Sequence, residues 1–430
     1  MKIPPVKGTR DFYPPQMAIH NWIVDGWKKV SIRNGFEEYD GPIFELLKMY
    51  QIKSGDEIVE QLFSLQDRGG RDLAIRPEIT PTLARMVNQQ INSLPRPIKW
   101  FSVPRLCRAE RPQKGRLREF FQWNVDIIGV DSPGADAEII FTTLDYLRSV
   151  GLTSRDIRAK ISSRKLLAAV LRRLDIADGK LDAMYALLDK RAKLPAETFE
   201  AMLAEQVADA ERAATITKFM ALTSVDEVQQ VVGTDSDTDE AIEDLKAVFA
   251  VLESMGVSDY CVFDPSIVRG LAYYTGVVFE VHDIVGGLRA ICGGGRYDNL
   301  LKDFGGPAIS ATGMGMGDCV LEILLQEKGL LESQVPQRHT EYFVASADPQ
   351  FTSAMYAVVA RIRSRGHSAN FSYKLGGLSK QLKEAASQNA RQVVIIGQEY
   401  FDKDELVVKD MATGQQTQVS VEQFLSDLGA

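Results

Sequence analysis

A glycine-poor, helical stretch inside an otherwise β-rich chain is the feature that most limits the possible folds. Residues 163–255 are rich in alanine, leucine and charged side chains at helical spacing, with 11 Lys or Arg against 18 Asp or Glu. Strand-like segments stand on both sides of it, among them LREFFQWNVDIIGV (117–130) and YTGVVFEVHD (274–283). Helices placed between strands in this way predict an α+β fold that carries a helical, acidic insertion.

Length and composition exclude several protein classes. The 430 residues suggest two to four domains, and 45% apolar with 25% charged residues is typical of a soluble globular protein. No segment approaches the ~20 uncharged apolar residues that cross a bilayer, and no secretory signal is recognisable. Four scattered cysteines and four scattered histidines favour reduced cytoplasmic thiols over a disulfide framework or a metal site. The net charge of −8 argues against unspecific nucleic-acid binding, although a local basic patch can still bind specifically.

Periodicity and turn residues predict the elements near the N-terminus. An amphipathic helix follows a turn-rich start, and Gly69-Gly70 joins LFSLQD to DLAIRPE as a hairpin. Thr80 is predicted as the N-cap and Pro81 as the first residue of the next helix, TPTLARMV.

Further strands and a second domain are predicted beyond this helix. Segments 98–110 and 117–130 are predicted strands, joined by the loop RPQKGR into an antiparallel hairpin with a mobile cationic tip. A helix is expected from residue 135 to residue 150. After a break at 329–339, strands and helices alternate, which is typical of a small α/β domain with a parallel core at 338–430.

The predicted hairpin carries the strongest local charge signal. Five cations fall within eleven positions: Arg108, Arg111, Lys114, Arg116 and Arg118. Arginine presents a planar fork that suits phosphate oxygens, so the loop is a candidate phosphate-binding element. A merely solvated basic hairpin is the alternative, but the apolar segments that bracket the run favour a rigid and functional one.

Three glycine-containing segments follow the insertion. In RGLAYYTGVVFE (269–280), Arg269 can stabilise a developing anion, while the two tyrosines line a pocket or have a structural role. The three glycines of CGGGRYDNL (292–300) permit close approach of a ligand, or form a turn or bulge. TGMGMGDC (312–319) matches neither a Walker loop nor GxGxxG. Its spaced glycines leave one strand face bare for a flat ligand or another backbone.

Single residues near these segments are open to two interpretations. Glu78 in RPEIT either faces a substrate ammonium or is an acid favoured at a helix start. Cys107 and Cys292 have no histidine close in sequence, which argues against a catalytic thiol. His282 is predicted to be a surface residue at the end of a strand.

Taken together and in order, the motifs resemble the histidyl-tRNA synthetases from residue 7 almost to the end. They are KGTRDFYPPQ, RPEITPTLAR, RLCRAERPQKGRLREFFQWNVDIIG, RGLAYYTGVVFE and CGGGRYDNLL. The resemblance implies a class II synthetase catalytic domain at 1–325, an antiparallel sheet flanked by helices, with the helical insertion at 163–255. A linker at 326–337 would lead to an α/β anticodon-binding domain at 338–430.

The same resemblance implies an enzyme and its partners. The reaction would be ATP-dependent ligation of L-histidine to tRNA(His) through a histidyl-adenylate, with release of AMP and pyrophosphate. Mg²⁺ would neutralise the β- and γ-phosphates, and no motif suggests a protein metal site. A cytoplasmic homodimer that binds no membrane is expected.

The resemblance also assigns residues to ATP. Arg108 and Arg269 would hold the α-phosphate from opposite sides as the catalytic pair, while Glu110 contacts the adenine edge and Phe120 its face. Arg116 would reach the outer phosphates. The positions matched to the ATP site are Arg108, Glu110, Arg116, Phe120, Gly315 and Gly317.

For histidine, the resemblance assigns the α-ammonium to Glu78 and Thr80, with Gln122 close by. Tyr274 and Asp126 would surround the imidazole. The positions matched to the histidine site are Glu78, Ile79, Thr80, Arg108, Gln122, Asp126, Arg269, Tyr273, Tyr274, Gly294 and Tyr297.

Two positions depart from the family pattern. The family's RGLDYYTG is RGLAYYTG here, with Ala272 in place of the aspartate. The family's third motif, which reads like GLER, is GDCVLE here, with Val320 in or next to the arginine's place. Loss of that guanidinium should weaken ATP binding unless another cation replaces it, and Arg289 and Arg296 are candidates.

Two other functions compete with the ligase. A catalytically silent, synthetase-like regulator would explain the missing arginine. Regulators of this kind typically lack the C-terminal domain and much of RGL-YY and GGGRYD, all of which this chain keeps. A class II synthetase of another specificity would not explain the paired tyrosines and GGGRYD.

Overall fold

The computed structural model of the protein divides into two units. The described residues are 3–51, 62–191, 194–269, 273–337, 339–374 and 376–429. The units are Met1–Val335 and Pro336–Ala430, and each contains its own sheet and apolar core. Within the described ranges, no helix combines the length and the apolarity that crossing a bilayer requires.

Twelve strands are described in the first unit. They are β1 (Glu37–Glu38), β2 (Phe44–Leu46), β3 (Phe63–Gln66), β4 (Asp72–Ile75), β5 (Ile98–Ser102), β6 (Arg105–Cys107), β7 (Glu119–Ile128), β8 (Ile157–Ser163), β9 (Cys261–Phe263), β10 (Val277–Asp283), β11 (Cys292–Tyr297) and β12 (Ala311–Gly317). Nine of them form one sheet in the order β1-β5-β7-β12-β11-β10-β8-β9, with β6 beside β7. The pairs β1–β5 and β8–β9 are parallel, whereas the strands that carry the glycine motifs are antiparallel.

Both predicted hairpins are present. Strands β3 and β4 pair antiparallel beside β2, and Asp67 closes their turn by accepting hydrogen bonds from the backbone N–H groups of Gly69 and Arg71. In the basic hairpin, the Arg108 N–H donates to the Arg118 carbonyl at 2.8 Å. The strand predicted at 98–110 is divided into β5 and β6 at Pro104, because proline has no N–H to donate to a ladder.

Thirteen helices are described in the first unit. They are α1 (Pro14–Arg33), α2 (Leu47–Gln51), α3 (Thr80–Gln90), α4 (Pro133–Ser149), α5 (Arg164–Arg173), α6 (Leu181–Leu188), α7 (Ala196–Val207), α8 (Ala210–Phe219), α9 (Val228–Val232), α10 (Ser236–Ser254), α11 (Leu300–Asp303), α12 (Asp318–Glu327) and α13 (Leu330–Gln334). Short 3₁₀ turns lie at Asp178–Lys180, Val225–Glu227 and Ser258–Tyr260. The prediction for α3 was wrong by one residue. Ile79 is the N-cap and makes no side-chain cap, so Thr80 begins the helix and Pro81 is its second residue.

Helices α1 and α4 cover one face of the sheet. The indoles of Trp27 in α1 and Trp123 in β7 stack with ring centroids 6.2 Å apart, and the ring of Tyr146 in α4 lies 5.5 Å from that of Trp123. The Trp123 Nε1–H donates to Ser31 Oγ at 2.8 Å, which satisfies the one polar atom of that buried ring. The opposite face of the sheet is therefore the one left for a ligand.

The segment predicted to be helical contains α5 to α10. Three of these helices begin with a side chain that accepts backbone N–H groups, namely Ser163, Asp209 and Asp235. Their apolar sides join the core that continues under the central sheet, with Leu171 and Leu245 fully buried. The burial of apolar side chains in this common core therefore holds the insertion against the rest of the first unit.

The second unit has a five-stranded sheet in the order β14-β13-β15-β16-β17. Its strands are β13 (Thr340–Ser346), β14 (Ala369–Phe371), β15 (Ala390–Ile396), β16 (Glu405–Asp410) and β17 (Gln416–Ser420). Its helices are α14 (Thr352–Ser364), α15 (Leu378–Ser387), α16 (Glu399–Lys403) and α17 (Val421–Asp427), with a 3₁₀ turn at Pro349–Phe351.

The predicted parallel core of this unit is confirmed for three strands, since β13 runs parallel to β14 and β15. The antiparallel hairpin of β16 and β17 was not predicted. The hairpin lies at one edge of the sheet. Strand β17 is largely polar and β16 has only three consecutive apolar residues, so neither shows the longer apolar run of a buried parallel strand.

Candidate active site

A cavity of about 770 Å³ opens on the sheet face of the first unit that α1 and α4 leave uncovered. Its lining residues come from the basic hairpin, from β7, β10, β11 and β12, and from the segment that ends at Arg269. Five cations line it against two carboxylates: Arg108, Arg116, Lys160, Arg269 and Arg289 against Asp189 and Glu280. A chain with a net charge of −8 thus concentrates positive charge at one concave site, which suits an anionic ligand.

The floor of this cavity is made of glycines on two neighbouring strands. Gly293 of β11 lies opposite Gly315 of β12 in the antiparallel register. A Cβ added at Gly293 would come within 2.7 Å of Arg269 Nη1, and one at Gly315 within 2.8 Å of Gln122 Nε2. Glycine is required here because these polar side chains lie directly against the backbone. As predicted from TGMGMG, this strand face carries no side chains of its own. The polar side chain of Gln122, from the neighbouring strand, covers part of it.

Arg108 stands at one wall of the cavity, where the hairpin leaves β6. Its Nε–H donates to the Pro77 carbonyl at 3.1 Å, and its guanidinium lies 5.1 Å from the centroid of the Phe120 ring. Both contacts hold the planar fork in one orientation, with Phe120 offering a flat apolar face beside it. The hairpin places a cation and an aromatic ring side by side.

The hairpin tip closes over the start of α12. Arg116 forms an ion pair with Glu110 inside the hairpin, and the second carboxylate oxygen of Glu110, Oε1, is buried with no hydrogen-bond partner among the described residues. Gly115, at φ +73°, lies so close to Val320 that a Cβ would come within 2.9 Å of that side chain. The position where a motif 3 arginine was expected is therefore packed against the hairpin.

Arg269 also lines the cavity, and its guanidinium lies against Gly293 in the floor. Its backbone is left-handed, at φ +62°, a conformation that costs free energy for a residue with a Cβ and is concentrated at functional sites. Its Nη1 donates to Glu280 Oε1 at 2.5 Å, and Glu280 Oε2 bonds to His282 Nε2 at 2.9 Å. Burial alone would raise the pKa of Glu280. The His282 hydrogen bond and the charge of Arg269 outweigh burial and lower that pKa to about 2.

Glu280 and His282 were not predicted as site residues, and the expectation that His282 is a surface residue was wrong. The alternation of β10 was the available signal, since residues 280 and 282 share one strand face. Lys160 and Asp189 also line the cavity without having been singled out. Cys292 lines it too, but burial raises the pKa of its thiol, which agrees with the absence of a catalytic thiol role.

A second, closed cluster lies next to the cavity. Asp126 of β7 is buried, its Oδ1 accepts the Tyr297 hydroxyl at 2.6 Å, and its Oδ2 has no partner among the described residues. Burial raises the pKa of Asp126 to about 7, although the Tyr297 hydrogen bond opposes the shift. The rings of Tyr273 and Tyr274 lie beside it, with centroids 4.9 Å apart. An orphaned carboxylate oxygen among tyrosines is a site for a ligand N–H donor.

The segment before α3 borders this cluster. Arg76 is buried and anchors the segment, because its Nη1 pairs with Asp40 at 2.6 Å and its Nε donates to the Arg105 carbonyl at 3.1 Å. Glu78 is 5% exposed, and its charge, after burial, contributes to a raised pKa of Tyr273. Glu78 is therefore a buried carboxylate that faces the tyrosines.

The two predicted groups of site residues separate in space. Of the ATP group, all but Glu110 line the cavity, namely Arg108, Arg116, Phe120, Gly315 and Gly317. Of the histidine group, Arg108, Gln122 and Arg269 line it. The remaining ones lie outside its lining: Glu78, Ile79, Thr80, Asp126, Tyr273, Tyr274, Gly294 and Tyr297. All of these except Thr80 are buried.

A comparison with family models decides which family has this arrangement. A model described as histidyl-tRNA synthetase matches residues 8–317, and one described as an anticodon binding domain matches residues 341–429. The chain belongs to the histidyl-tRNA synthetase family. This confirms the class II synthetase fold, and the family attaches histidine to tRNA(His) by ATP-dependent aminoacylation.

Individual relatives agree along the whole chain. A histidine–tRNA ligase of Arabidopsis thaliana, named chloroplastic/mitochondrial, is 38% identical over 99% of this chain and 85% of its own length. The histidine–tRNA ligase of Natronomonas pharaonis is 37% identical over 99% of this chain and 97% of its own.

Solved structures agree in fold. The histidyl-tRNA synthetase of Nostoc sp. PCC 7120 superposes with a TM-score of 0.83 at 23% identity, over 100% of this chain and 99% of that one. A Bacillus halodurans structure described as an ATP phosphoribosyltransferase regulatory subunit/histidyl-tRNA synthetase gives 0.75 at 22% identity, over 92% and 99%. The fold is thus shared by both kinds of protein.

Within this histidyl-tRNA synthetase fold, the two candidates for replacing the motif 3 arginine have different places. Arg289 is exposed and lines the cavity. Arg296 does not line it, so this expectation is corrected. Its guanidinium is buried against Asp136 at 2.9 Å and donates to the carbonyls of Val130 and Ser132. Ala272, the other departure from the family pattern, lies outside the described residues.

Proposed function

We propose that this chain ligates L-histidine to tRNA(His), and that histidyl-adenylate forms where the cationic cavity meets the closed tyrosine cluster. One observation carries this assignment. Two arginines, Arg108 and Arg269, line the same glycine-floored cavity, and the buried Asp126 next to it has a carboxylate oxygen without a partner among the described residues. The cavity suits a triphosphate and the cluster suits an imidazole, and adenylate formation needs both side by side.

ATP is assigned to the cavity. The adenine would lie on Phe120, with its amino group toward the unpartnered oxygen of Glu110, and Gly315 and Gly317 would let the nucleotide lie against β12. Arg116 and Arg289 would hold the outer phosphates. Mg²⁺ would be held by phosphate oxygens, since the described residues contain no cluster of three metal-ligating groups. Mg²⁺ would supply charge neutralisation at the β- and γ-phosphates.

Histidine is assigned to the closed cluster. Asp126 would accept one imidazole N–H, with Tyr273, Tyr274 and Tyr297 around the ring, and Ile79 and Gly294 would shape the pocket. Glu78 and Thr80 would take the α-ammonium, with Gln122 close by. Such a site rejects side chains that lack ring N–H groups, because buried polar atoms would then stay unpaired.

In this proposal, the two arginines stabilise the negative charge that develops while the adenylate forms. The histidine carboxylate attacks the α-phosphorus, the bond to the bridging oxygen breaks, and pyrophosphate leaves with the electron pair. Negative charge would develop on the α-phosphate oxygens, and Arg108 and Arg269, both held in place by protein contacts in the cavity lining, would stabilise it. The terminal ribose hydroxyl of tRNA then attacks the carbonyl carbon, and AMP leaves.

The remaining assignments are part of the same proposal. Residues 1–325 form the catalytic domain with its insertion at 163–255, residues 326–337 the linker, and 338–430 the anticodon-binding domain. The match of residues 341–429 to an anticodon binding domain supports tRNA(His) as the partner. We also propose a homodimer and a cytoplasmic location.

A silent regulator is the second candidate, and Val320 at the place of a phosphate-binding arginine is the observation that favours it. ATP–pyrophosphate exchange with each of the twenty amino acids separates the two, using wild type and Arg269→Ala. A ligase exchanges with histidine alone and loses this activity in the variant. Folded protein that shows no exchange with any amino acid in the presence of Mg²⁺ would support the regulator.

A further inference from the structure

Arg164 is a buried arginine outside the cavity lining that hydrogen-bonds to the backbone segment ending at Arg269. It is the first residue of α5, directly after β8, at the start of the insertion. Only 6% of it is exposed, and its own N–H donates to the Gly276 carbonyl at 2.8 Å, just before β10. A buried guanidinium is costly unless its donors are used, so its hydrogen bonds indicate its purpose.

The guanidinium of Arg164 holds the backbone on both sides of the strained position. Its Nε donates to the Val268 carbonyl at 3.0 Å and its Nη2 to the Arg269 carbonyl at 2.6 Å. Two donors of one rigid fork thus bind two consecutive carbonyls, which restricts the rotation of the peptide between them. Arg269, with its left-handed φ of +62°, keeps a conformation that an unrestrained chain would leave.

The same guanidinium is covered by the insertion. The ring of Tyr185 in α6 lies over it, with the Arg164 Cζ 4.4 Å from the ring centroid. Burial lowers the pKa of Arg164, and Tyr185 and the charges of Asp182 and Asp189 oppose that shift. Asp189 follows α6 directly and also lines the cavity. One end of α6 therefore contacts both the cavity and the group that holds Arg269.

We propose that Arg164 is a positioning residue that fixes the backbone of Arg269 and connects it, through Tyr185, to the helical insertion. This inference rests on the proposed function, because it takes Arg269 as one of the two arginines on the α-phosphate. Arg164 does not touch the substrates. Its effect is to keep the Arg269 guanidinium against the glycine floor, so that displacement of α6 changes the rate of adenylation.

Three variants test the proposal in histidine-dependent ATP–pyrophosphate exchange with the full chain. Arg164→Lys keeps the charge but removes the fork, and we expect kcat to fall about 30-fold, with KM for histidine and ATP changed less than about threefold. Tyr185→Leu removes the ring, and kcat should fall about fivefold, whereas Tyr185→Phe keeps the ring and stays within about twofold of wild type. Thermal melting shows whether each variant is folded.

A double-mutant cycle distinguishes positioning from general destabilisation. In the Arg269→Ala background, Arg164→Lys should cause no further loss of kcat, because the group it positions is gone. Independent losses that multiply would overturn the proposal, as would wild-type kcat in a folded Arg164→Lys variant. If Arg164→Lys does not fold, the kcat values of Tyr185→Leu and Tyr185→Phe are compared instead, and equal values in the two variants would overturn the proposal.

Failure of the proposed function has a different signature. Wild-type exchange in Arg269→Ala would remove Arg269 from the α-phosphate, and the role of Arg164 would be refuted with it. Loss of exchange in Arg269→Ala together with full activity in Arg164→Lys and Tyr185→Leu refutes the positioning role alone.

Discussion

Two carboxylates on one sheet show how the two halves of the site differ. Glu280, on the cavity side, lies against Arg269 and His282, and its pKa falls to about 2 despite burial. Asp126, in the closed cluster, has only the Tyr297 hydroxyl as a hydrogen-bond donor among the described residues, and burial raises its pKa to about 7. In the cavity half of the site, neighbouring cations determine the pKa of the carboxylate. In the closed half, the exclusion of water determines it.

This difference gives each half its own chemistry. The groups around Glu280 carry net positive charge, which favours the binding of an anion. The Glu280 carboxylate orients Arg269 and does not itself bind the ligand. Around Asp126, a carboxylate is held near its protonation point with one oxygen unpaired, so a ligand that donates an N–H is strongly favoured. Rate enhancement should therefore depend on the first half and amino-acid selectivity on the second.

The largest effect is expected for the cavity half in Arg269→Ala. Loss of a preorganised donor to the developing charge should lower kcat of histidine-dependent exchange by about 10³-fold. KM for histidine should change less, because the change removes the contact of Arg269 with the Tyr274 ring but leaves Asp126 and its Tyr297 hydrogen bond in place. A variant whose KM for histidine rises as strongly as its kcat falls would show that the two halves are not separate.

The matching change in the closed half is Asp126→Asn. It keeps the shape but replaces an accepting oxygen with an amide, so we expect KM for histidine to rise about 10²-fold. KM for ATP should stay within about twofold of wild type. Steady-state exchange with each substrate varied in turn measures both constants, and a parallel rise in KM for ATP would contradict the division.

The pH dependence of KM for histidine also tests whether Asp126 binds the imidazole. The ionised carboxylate of Asp126 accepts an imidazole N–H more strongly than the protonated carboxyl group does, so KM for histidine should fall as pH rises through about 7. The Tyr297 hydrogen bond lowers the pKa of Asp126, and its removal in Tyr297→Phe should move the midpoint to higher pH. Free histidine titrates identically in both measurements, so the difference reports on the protein. An unchanged midpoint would exclude Asp126 as the titrating group.

The halves also differ in how far the sequence revealed them. Cationic residues of the cavity were prominent, because Arg108 and Arg116 stand in a short basic run between apolar strands. Glu280 and His282 were missed, since their alternation in β10 places them on one strand face but does not show which groups that face meets. Their role depends on Arg269, which is brought to them by a non-local turn of the chain.

In the closed half, local sequence pointed to Glu78 and the paired tyrosines, whereas Asp126 and Tyr297 were predicted only through the family resemblance. Nothing local marks Asp126 as buried with an orphaned oxygen, because that depends on Gly313 lying opposite it in the neighbouring strand. Arg296 illustrates the reverse error. Arg296 was a candidate to replace the missing motif 3 arginine, but its Nε donates to Asp136, at the start of α4. The face of a strand to which a side chain points is fixed by register, which sequence spacing alone leaves open.

A smaller effect is expected for Arg289→Ala. Arg289 is exposed at the cavity, so water screens its charge and its loss should raise KM for ATP about tenfold at most. KM for histidine should not change. Raising the salt concentration should weaken ATP binding in wild type more than in the variant, and equal salt dependence would mean that Arg289 does not contact the phosphates.

The smallest effects are expected on the hairpin itself, where geometry rather than charge decides. Lys114 lies outside the cavity and pairs with Glu327 at 3.1 Å, with both side chains more than half exposed. Lys114→Ala should therefore change KM for ATP less than about twofold. Arg116 lines the cavity, so Arg116→Ala should raise that KM about fivefold and leave Glu110 without its ion pair. Each variant removes one positive charge, Lys114→Ala outside the cavity and Arg116→Ala from its lining. Equal effects on KM for ATP would therefore mean that the hairpin acts through its overall charge.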